Sequence, residues 1–415
     1  MSPSEKWLPR AAPAVMLLCA GWYVYHSFIE QAPTASLSDF SWYYLAARHV
    51  AHGESPYLSE GYLYSPLLAC LLTPLASLDY VPARWIWFLI SHACLLAAAW
   101  LIWRHMGADR LAACVVAIVW AFGGAADESL GLGQIGPELT LLLAAAYTLT
   151  PRRQGAWVGT GFGLKVVPGV IGVIFMLRRD FRALFAAVAA AFILTAVPWG
   201  FVACCSPGPR APATLDYLSG TPSPLSWSLP SLALRVDEPF RFGKPMPHDW
   251  ITGHTLQELR LSPEERRLSL AVAIATLAVG FAILAIRVRG KLEFRQTALA
   301  SAALITLALA ASPVGWTHYQ VMQYPGVALF LGYAARRRLW WLLGATATCA
   351  AFLYPIPVAV LRAYFDPANA WPNSPLVMYF WTSVSAVASL ALFGLMTREL
   401  PRIEVSEVKA HAATP

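Results

Sequence analysis

Three long runs without a charged residue constrain this chain more than any other feature. They extend from Leu268 to Ile286, from Leu339 to Leu361 and from Leu376 to Thr397, and are 19, 23 and 22 residues long. A helix needs about 20 apolar residues to cross the hydrocarbon core of a bilayer. Only 13% of the chain is charged, against about 25% in ordinary soluble domains. We therefore predict an all-α, polytopic helical membrane protein with about ten to twelve hydrophobic helices.

The net charge of +7 comes from Lys and Arg that gather in short loops between apolar segments. These basic loops predict how the chain is oriented in the membrane, and we expect no nucleic-acid partner. The positive-inside rule makes these loops cytoplasmic. They are 152–153, 178–182, 287–295, 336–338 and residue 398. The intervening turns then face outward. This alternation of loops and apolar segments predicts one integral membrane domain over 1–400. Its outer loops include 30–63 and the long 202–266, and its cytoplasmic tail is 401–415.

The first apolar segment, 11–28, lacks a convincing cleavage site and is interpreted as a retained span. The later predicted spans are 183–201, 268–286, 296–311, 320–335, 339–360 and 376–397.

Two segments do not fit a simple count of spans. Arginines flank 155–177 on both sides, so we predict a broken or hairpin element that turns back near Lys165, with Pro168 in its middle. Segment 64–77 is short and contains two prolines. It does not cross fully if the loop holding Arg104 and Arg110 is cytoplasmic, and is an ordinary span if that loop violates the charge rule.

Several kinds of catalytic site are missing from the sequence. There is no His-Glu-x-x-His, Cys-x-x-Cys or Asp-x-Asp pattern, so we predict no metal. There is also no Walker-type phosphate loop and no soluble nucleotide-binding domain. We expect no cofactor, no transport driven by ATP hydrolysis on this chain, and no obvious place to hold a nucleotide-sugar.

Asp39 is the sole acid between Glu30 and Glu54, in a segment that continues Phe-Ser-Trp-Tyr-Tyr just beyond the first span. Taken alone, the segment favours a helix cap at Ser38 or Asp39. A carboxylate among aromatic rings at a membrane boundary also suits a base that accepts a proton from a sugar hydroxyl. The other polar residues of the outward turns favour this second interpretation.

Lys165 and His318 are ionisable residues close to apolar segments, where a charge is costly. Both suit recognition of a phosphate group. Snorkelling to the headgroups is the competing interpretation for Lys165. Gln134 could instead cap a helix, and Trp316 and the outward tyrosines could form an interfacial belt.

Taken in order, these segments resemble glycosyltransferase family 87, multi-spanning enzymes of the GT-C class that include mycobacterial mannosyl- and arabinofuranosyltransferases. The resemblance covers about residues 36–335. The motifs that carry it are Asp39-Phe40, Tyr43-Tyr44, Ala46-Ala47, Gly53 with Pro56-Tyr57, Tyr64 with Pro66, Gly133-Gln134, Leu164-Lys165 with Pro168, and Ser312-Pro313 with Trp316 and His318.

The resemblance implies a GT-C fold and sugar transfer from a polyprenyl-phosphate donor to a hydroxyl of a glycan or glycolipid acceptor. The sugar would be a hexose such as mannose or a pentose such as arabinofuranose, and the reaction would take place on the periplasmic face of a bacterial inner (plasma) membrane. It makes Asp39 the catalytic base of an inverting displacement, and Lys165 and His318 then suit the donor phosphate. The remaining candidate substrate-binding residues are Tyr43, Tyr44, Tyr57, Tyr64, Gln134 and Trp316.

The sequence departs from the family pattern at three places. Thr317-His318-Tyr319 replaces Asp-His-His, Ser65 replaces a proline, and Ser226 to Leu229 only loosely matches an Asn-Gln-Ser-Leu segment. Two other classes stay open: a lipid or solute transporter or flippase, and a non-catalytic subunit of an envelope-glycan assembly complex. Scatter of Asp39, Gln134, Lys165 and His318 over separate faces would favour these two classes, whereas an enzyme requires the four residues in one outward cavity.

Overall fold

The computed structural model describes residues 3–30, 39–59, 61–149, 151–212, 226–234, 261–288, 292, 294–365 and 375–402. Within them the chain is helical, and its single extended contact is an isolated antiparallel bridge. The helices are α1 Pro3–Tyr23 (continued by a π-helix, Val24–Glu30), α2 Asp39–Ala51, α3 Pro66–Ala76, α4 Tyr80–His105, α5 Arg110–Phe122, α6 Ala125–Leu132, α7 Gly136–Thr148, α8 Pro151–Leu164, α9 Gly172–Leu177, α10 Phe181–Cys205, α11 229–234, α12 Pro263–Arg287, α13 Phe294–Ala311, α14 Tyr324–Arg336, α15 Trp340–Leu353, α16 Pro355–Phe365 and α17 Pro375–Glu399.

The predicted class, a polytopic all-α membrane protein, is confirmed. Six helical segments of the described chain are long and apolar enough to cross a bilayer, or seven if α5 and α6, which meet at a 55° bend, form one span. Three shorter apolar helices accompany them. Most of the predicted outer loop 202–266, the tail 403–415 and the proposed cap Ser38 lie outside the described residues.

Basic residues collect at one end of the bundle, which we call the arginine end and define by Arg104, Arg110, Arg182, Arg336 and Arg337. Arg336 donates to Asp109 (2.7 Å), which lies in the loop between α4 and α5. It also donates to the carbonyl oxygen of Met106 in the same loop. The loop with Arg104 and Arg110 therefore lies beside the 336–338 loop, so the positive-inside rule assigns both to one side of the membrane.

Helix α3 is correspondingly short. Its 11 residues extend about 16 Å at 1.5 Å per residue, whereas a hydrocarbon core is about 30 Å thick. The helix begins at Pro66, and the Ser65 hydroxyl accepts a hydrogen bond from the Leu67 amide (3.2 Å). The serine that departs from the family pattern is thus the N-cap of this helix.

The predicted break at Lys165 is present. Helix α8 ends at Leu164, a 3₁₀ turn follows at Val167–Ile171, and α9 continues the chain. Gly161 faces the ring of Pro168, and Gly169 faces the ring of Phe162, where a Cβ would meet these side chains within 3 Å. The two arms therefore fold back on each other at Lys165.

Glycines on α8 hold this hairpin against α10. Gly155 and Gly159 are so close to the backbone of Ala183 and Ala187 that a Cβ at either position would overlap a carbonyl oxygen. Small residues spaced four apart allow this approach between membrane helices. Gly155 meets Ala183 near the start of both helices, and α8 then runs on to end beside Lys165. Arg182 therefore lies at the arginine end and Lys165 at the opposite end.

Two predicted spans differ from the observed elements. The segment 320–335 is a 3₁₀ turn, Thr317–Gln323, followed by the short helix α14. The segment 296–311 is helical, but every one of its residues is buried, so it packs inside the protein. The predicted span 339–360 agrees with the apolar segment Trp340–Val360, which is long enough to cross a bilayer. Within this segment α15 and α16 meet at Tyr354, because Pro355 cannot continue the hydrogen-bond ladder of α15.

Candidate active site

Asp39 is the first residue of α2 and is partly buried. Its Oδ2 atom accepts a hydrogen bond from the side-chain amide of Gln134. Burial raises the pKa of the Asp39 carboxyl to about 6; the Lys165 ammonium opposes this rise, and the Glu128 carboxylate adds to it. An acid with this pKa is ionised at neutral pH yet basic enough to accept a proton.

Gln134 lies between α6 and α7 and connects three elements of the site. Its Oε1 atom accepts from the hydroxyls of Tyr43 (2.9 Å) and Tyr64 (2.8 Å), while its amide nitrogen donates to Asp39. These bonds fix the orientation of the amide, because both donors face its oxygen. The carboxylate of Asp39 is therefore held in one position before any substrate binds.

The turn that carries Gln134 depends on a glycine. Gly133 has a positive φ of 71° and ends α6. A Cβ there would lie 2.7 Å from the Cβ of Phe40, the residue after Asp39. Only glycine combines this conformation with this approach, so the Gly-Gln pair brings the start of α7 against the start of α2.

Lys165 lies in the break after α8 and points into the same cluster. Its Nζ atom lies 3.3 Å from the ring centroid of Tyr319 and 5.3 Å from that of Tyr64. Burial lowers the pKa of the Lys165 amine well below its ordinary value, and the Asp39 carboxylate opposes the fall. The Lys165 amine therefore lies between two aromatic rings and interacts electrostatically with the Asp39 carboxylate.

His318 lies on the 3₁₀ turn that precedes α14. It is 5% exposed, and the Tyr319 ring meets its imidazole edge-on with centroids 4.7 Å apart. Its Nε2 atom is buried and has no hydrogen-bond partner among the described residues. Burial, together with the Lys165 charge, holds the pKa of His318 well below its ordinary value, so the ring is neutral at pH 7.

Two side chains of this site, Glu128 and Tyr319, were not among the predicted residues. Thr317 donates a hydrogen bond to Oε1 of Glu128 on α6 (2.6 Å), and Glu128 acts on the charge of Asp39. Tyr319 lies under Lys165. Both tyrosine and glutamate stand in outward turns of the sequence, but nothing in their spacing separates them from residues of the lipid interface.

The structure brings together Asp39, Tyr43, Tyr64, Gln134, Lys165 and His318 through direct contacts or one shared neighbour, Tyr319. Two other predicted substrate-binding residues, Tyr44 and Tyr57, direct their hydroxyls to backbone carbonyls and not to Gln134 or Asp39. Tyr44 donates to the Leu78 carbonyl (2.7 Å) and packs on Tyr80. Tyr57 donates to the Tyr64 carbonyl (3.1 Å), so its hydroxyl supports the backbone next to the cluster.

Trp316 pairs with Ser226 in the isolated antiparallel bridge. The amide of Trp227 donates to the Gly315 carbonyl (2.7 Å), and the amide of Gly315 donates to the Ser226 hydroxyl (2.9 Å). The loosely matching segment 226–229 therefore fixes the backbone just before His318.

Comparison with known proteins identifies the family of the chain. The family model for glycosyltransferase family 87 matches residues 62–313. A polyprenol-phosphate-mannose-dependent alpha-(1-2)-phosphatidylinositol mannoside mannosyltransferase of Mycobacterium tuberculosis is 27% identical over 82% of this chain and 79% of its own length. Its counterpart in Mycolicibacterium smegmatis is 24% identical over 80% of this chain and 76% of its own.

An alpha-(1->3)-arabinofuranosyltransferase of Mycobacterium tuberculosis is 26% identical over a shorter region, 40% of this chain and 40% of the relative. No solved structure matches the chain. The matched family segment contains Tyr64, Gln134 and Lys165, while Asp39 lies 23 residues before its start and His318 five residues after its end. Because the family model covers well over half of the chain, this protein is a membrane glycosyltransferase that belongs to glycosyltransferase family 87.

Proposed function

We propose that the protein transfers a sugar from a polyprenyl-phosphate donor to a hydroxyl of a glycan or glycolipid, with inversion, and that Asp39 is the general base. The observation that carries this proposal is the contact of Asp39 with Gln134, in a cluster that also contains Lys165. It pairs an oriented carboxylate whose pKa is about 6 with the Lys165 amine, whose charge acts on that carboxylate.

Asp39 has one carboxylate oxygen engaged by Gln134, and we assign the other, Oδ1, to the acceptor. A sugar hydroxyl is a poor nucleophile until a base removes its proton. As the hydroxyl oxygen bonds to the anomeric carbon of the donor, Oδ1 takes the proton and the bond to the phosphate breaks. A single base opposite the leaving group gives one displacement and an inverted anomeric centre.

Lys165 and His318 are assigned to the donor phosphate, which leaves as an anion and needs charge stabilisation rather than a proton. An arriving phosphate favours the charged form of Lys165, because an opposite charge nearby raises the pKa of an amine. The neutral imidazole of His318 supplies a hydrogen bond. Its Nε2 atom, buried without a partner among the described residues, is the atom that a phosphate oxygen satisfies.

Mannose is the sugar that we propose first, and a phosphorylated glycolipid the acceptor class. The support is the two relatives that align over most of their length, whose names specify polyprenol-phosphate-mannose and a phosphatidylinositol mannoside. Arabinofuranose is the second candidate, supported by the shorter alignment with an arabinofuranosyltransferase.

We further propose that the reaction takes place on the periplasmic side of a bacterial inner membrane. Helix α14 runs from Tyr324, next to the His318 turn, to Arg336. Since the arginine end is the cytoplasmic one by the positive-inside rule, the end that contains Asp39 faces outward.

The decisive experiment supplies donors to the purified chain in lipid nanodiscs. One arm contains a panel of polyprenyl-phosphate sugars with a glycolipid acceptor, and the other contains nucleotide-sugars with all lipid carrier removed. We expect transfer in the first arm only, most rapid with the mannosyl donor. Transfer from nucleotide-sugars without carrier would refute the proposal, and a different preferred sugar would change only its specificity.

A further inference from the structure

A cavity of about 410 Å³ opens at the arginine end of the bundle, where the ends of α4 and α14 meet the start of α13. Its inner wall is apolar and includes Ala298, Leu299 and Leu329. Its mouth contains Arg336 and Arg337. A volume of this size is within the range of about 300–1,000 Å³ found for small-molecule sites.

A second hollow of about 570 Å³ adjoins the first, with Tyr333 and Arg337 in the lining of both. Its other walls include Glu399 and Arg402. The Glu399 carboxylate is 1% exposed and pairs with Arg402 (2.8 Å), so its charge is compensated. At the mouth of the first cavity, Arg336 pairs with Asp109 (2.7 Å).

Arg337 is different from these paired arginines. Its guanidinium lies over the Tyr333 ring, 5.2 Å from the centroid, and makes no hydrogen bond or ion pair with the residues that the structure describes. The Tyr333 hydroxyl is buried and also lacks a hydrogen-bond partner in the described part of the chain. The Arg337 guanidinium and the buried Tyr333 hydroxyl thus lie together where the two cavities join, and neither has a hydrogen-bond partner among the described residues.

These cavities are separate from the candidate active site. Helix α14 has 13 residues, so about 20 Å separates Arg337 from the turn that carries His318. No residue assigned to the sugar donor or the acceptor lines either hollow.

We propose that the paired cavities bind an anionic phospholipid, with its phosphate on Arg337 and Tyr333 and acyl-chain carbons against Ala298, Leu299 and Leu329. A planar guanidinium matches phosphate oxygens, which accept two of its hydrogen bonds. Basic pockets between membrane helices on the cytoplasmic side suit anionic head groups. Free phosphate has no apolar atoms that could pack against this wall, so the apolar wall favours a lipid over free phosphate.

The test is native mass spectrometry of the full chain in detergent, titrated with phosphatidylglycerol and with phosphatidylcholine of the same acyl chains. Arg337→Gln removes the unpaired charge, and Arg182→Gln is the matched control, an exposed arginine at the same end that lines neither cavity. We expect tighter binding of phosphatidylglycerol. Arg337→Gln should weaken that binding at least about tenfold, as expected for a lost charge-assisted contact, and Arg182→Gln should not.

Equal binding of phosphatidylglycerol by wild type, Arg337→Gln and Arg182→Gln would mean an unspecific lipid layer and overturn the proposal. Full displacement of phosphatidylglycerol by millimolar inorganic phosphate would also overturn it in favour of a phosphate site. Tyr333→Phe keeps the charge and removes the buried hydroxyl. A several-fold loss in this variant is expected, and it decides the matter if Arg337→Gln denatures in detergent.

Discussion

The pH dependence of transfer tests the assignment of Asp39 most directly, because two neighbours act on its charge with opposite sign. The pKa of its carboxyl is about 6. At that value about half of the molecules hold the ionised base at pH 6, about nine tenths at pH 7 and about one tenth at pH 5. Since only the deprotonated carboxylate accepts a proton, kcat/KM should fall about tenfold for each pH unit below 6.

Two substitutions should move this acid limb in opposite directions. Glu128→Gln removes a negative charge that raises the pKa of Asp39, so the limb should move to lower pH. The new amide oxygen can still accept the Thr317 hydrogen bond, which leaves the local structure in place. Lys165→Met removes the positive charge that lowers the pKa of Asp39, so the limb should move to higher pH.

The assay measures kcat/KM for transfer from a polyprenyl-phosphate sugar to a glycolipid acceptor across the acid range, with each profile normalised to its own plateau. Normalisation separates the position of the limb from any loss of donor binding in Lys165→Met. Asp79→Asn is the control, since Asp79 is exposed and its side chain makes no capping bond. If neither variant moves the limb, or both move it the same way, Asp39 is not the group that titrates.

Three further predictions concern the same cluster. Asp39→Asn keeps the shape of the side chain but removes the base, so transfer should fall at least about 10²-fold with thermal stability in detergent unchanged or higher; near-normal transfer would sink the assignment. Lys165→Met and His318→Ala should each raise the KM for donor through lost contacts, about 1.5–3 kcal/mol for the charged one, and the double variant should be non-additive. Additive effects on stability with normal donor KM would instead make both residues structural. Gln134→Leu removes three hydrogen bonds and should lower kcat more than it raises KM, because it frees Asp39; a purely KM effect would contradict its positioning role.

Much of the fold follows from local features of the sequence. The long apolar runs predicted the helices that begin at Pro263 and Pro375, because the thickness of a bilayer fixes the length of an apolar helix. The arginines between these runs indicated which ends lie together. The break at Lys165 was predictable because arginines flank both ends of its segment and Pro168 stands inside it.

The differences arise where burial inside the protein replaces contact with lipid. A segment such as 296–311 is equally apolar whether it faces lipid or is buried inside the protein. Only the packing shows that all of this segment is buried. The adjacent tyrosines 43 and 44 illustrate the same limit within the site. Successive residues of a helix point about 100° apart, so Tyr43 faces Gln134 while Tyr44 faces Tyr80.

The sequence by itself determined the class of the protein, the family that it resembles, and the candidates Asp39, Lys165 and His318. Charge and hydrophobic length act locally along a chain, so they can be read from it. Only the tertiary structure decided that Gln134 joins Asp39 to two tyrosines, and that Glu128 acts on the same carboxylate. Those relations depend on which faces of α2, α6 and α7 meet, and packing across the bundle, rather than spacing along the chain, sets those faces.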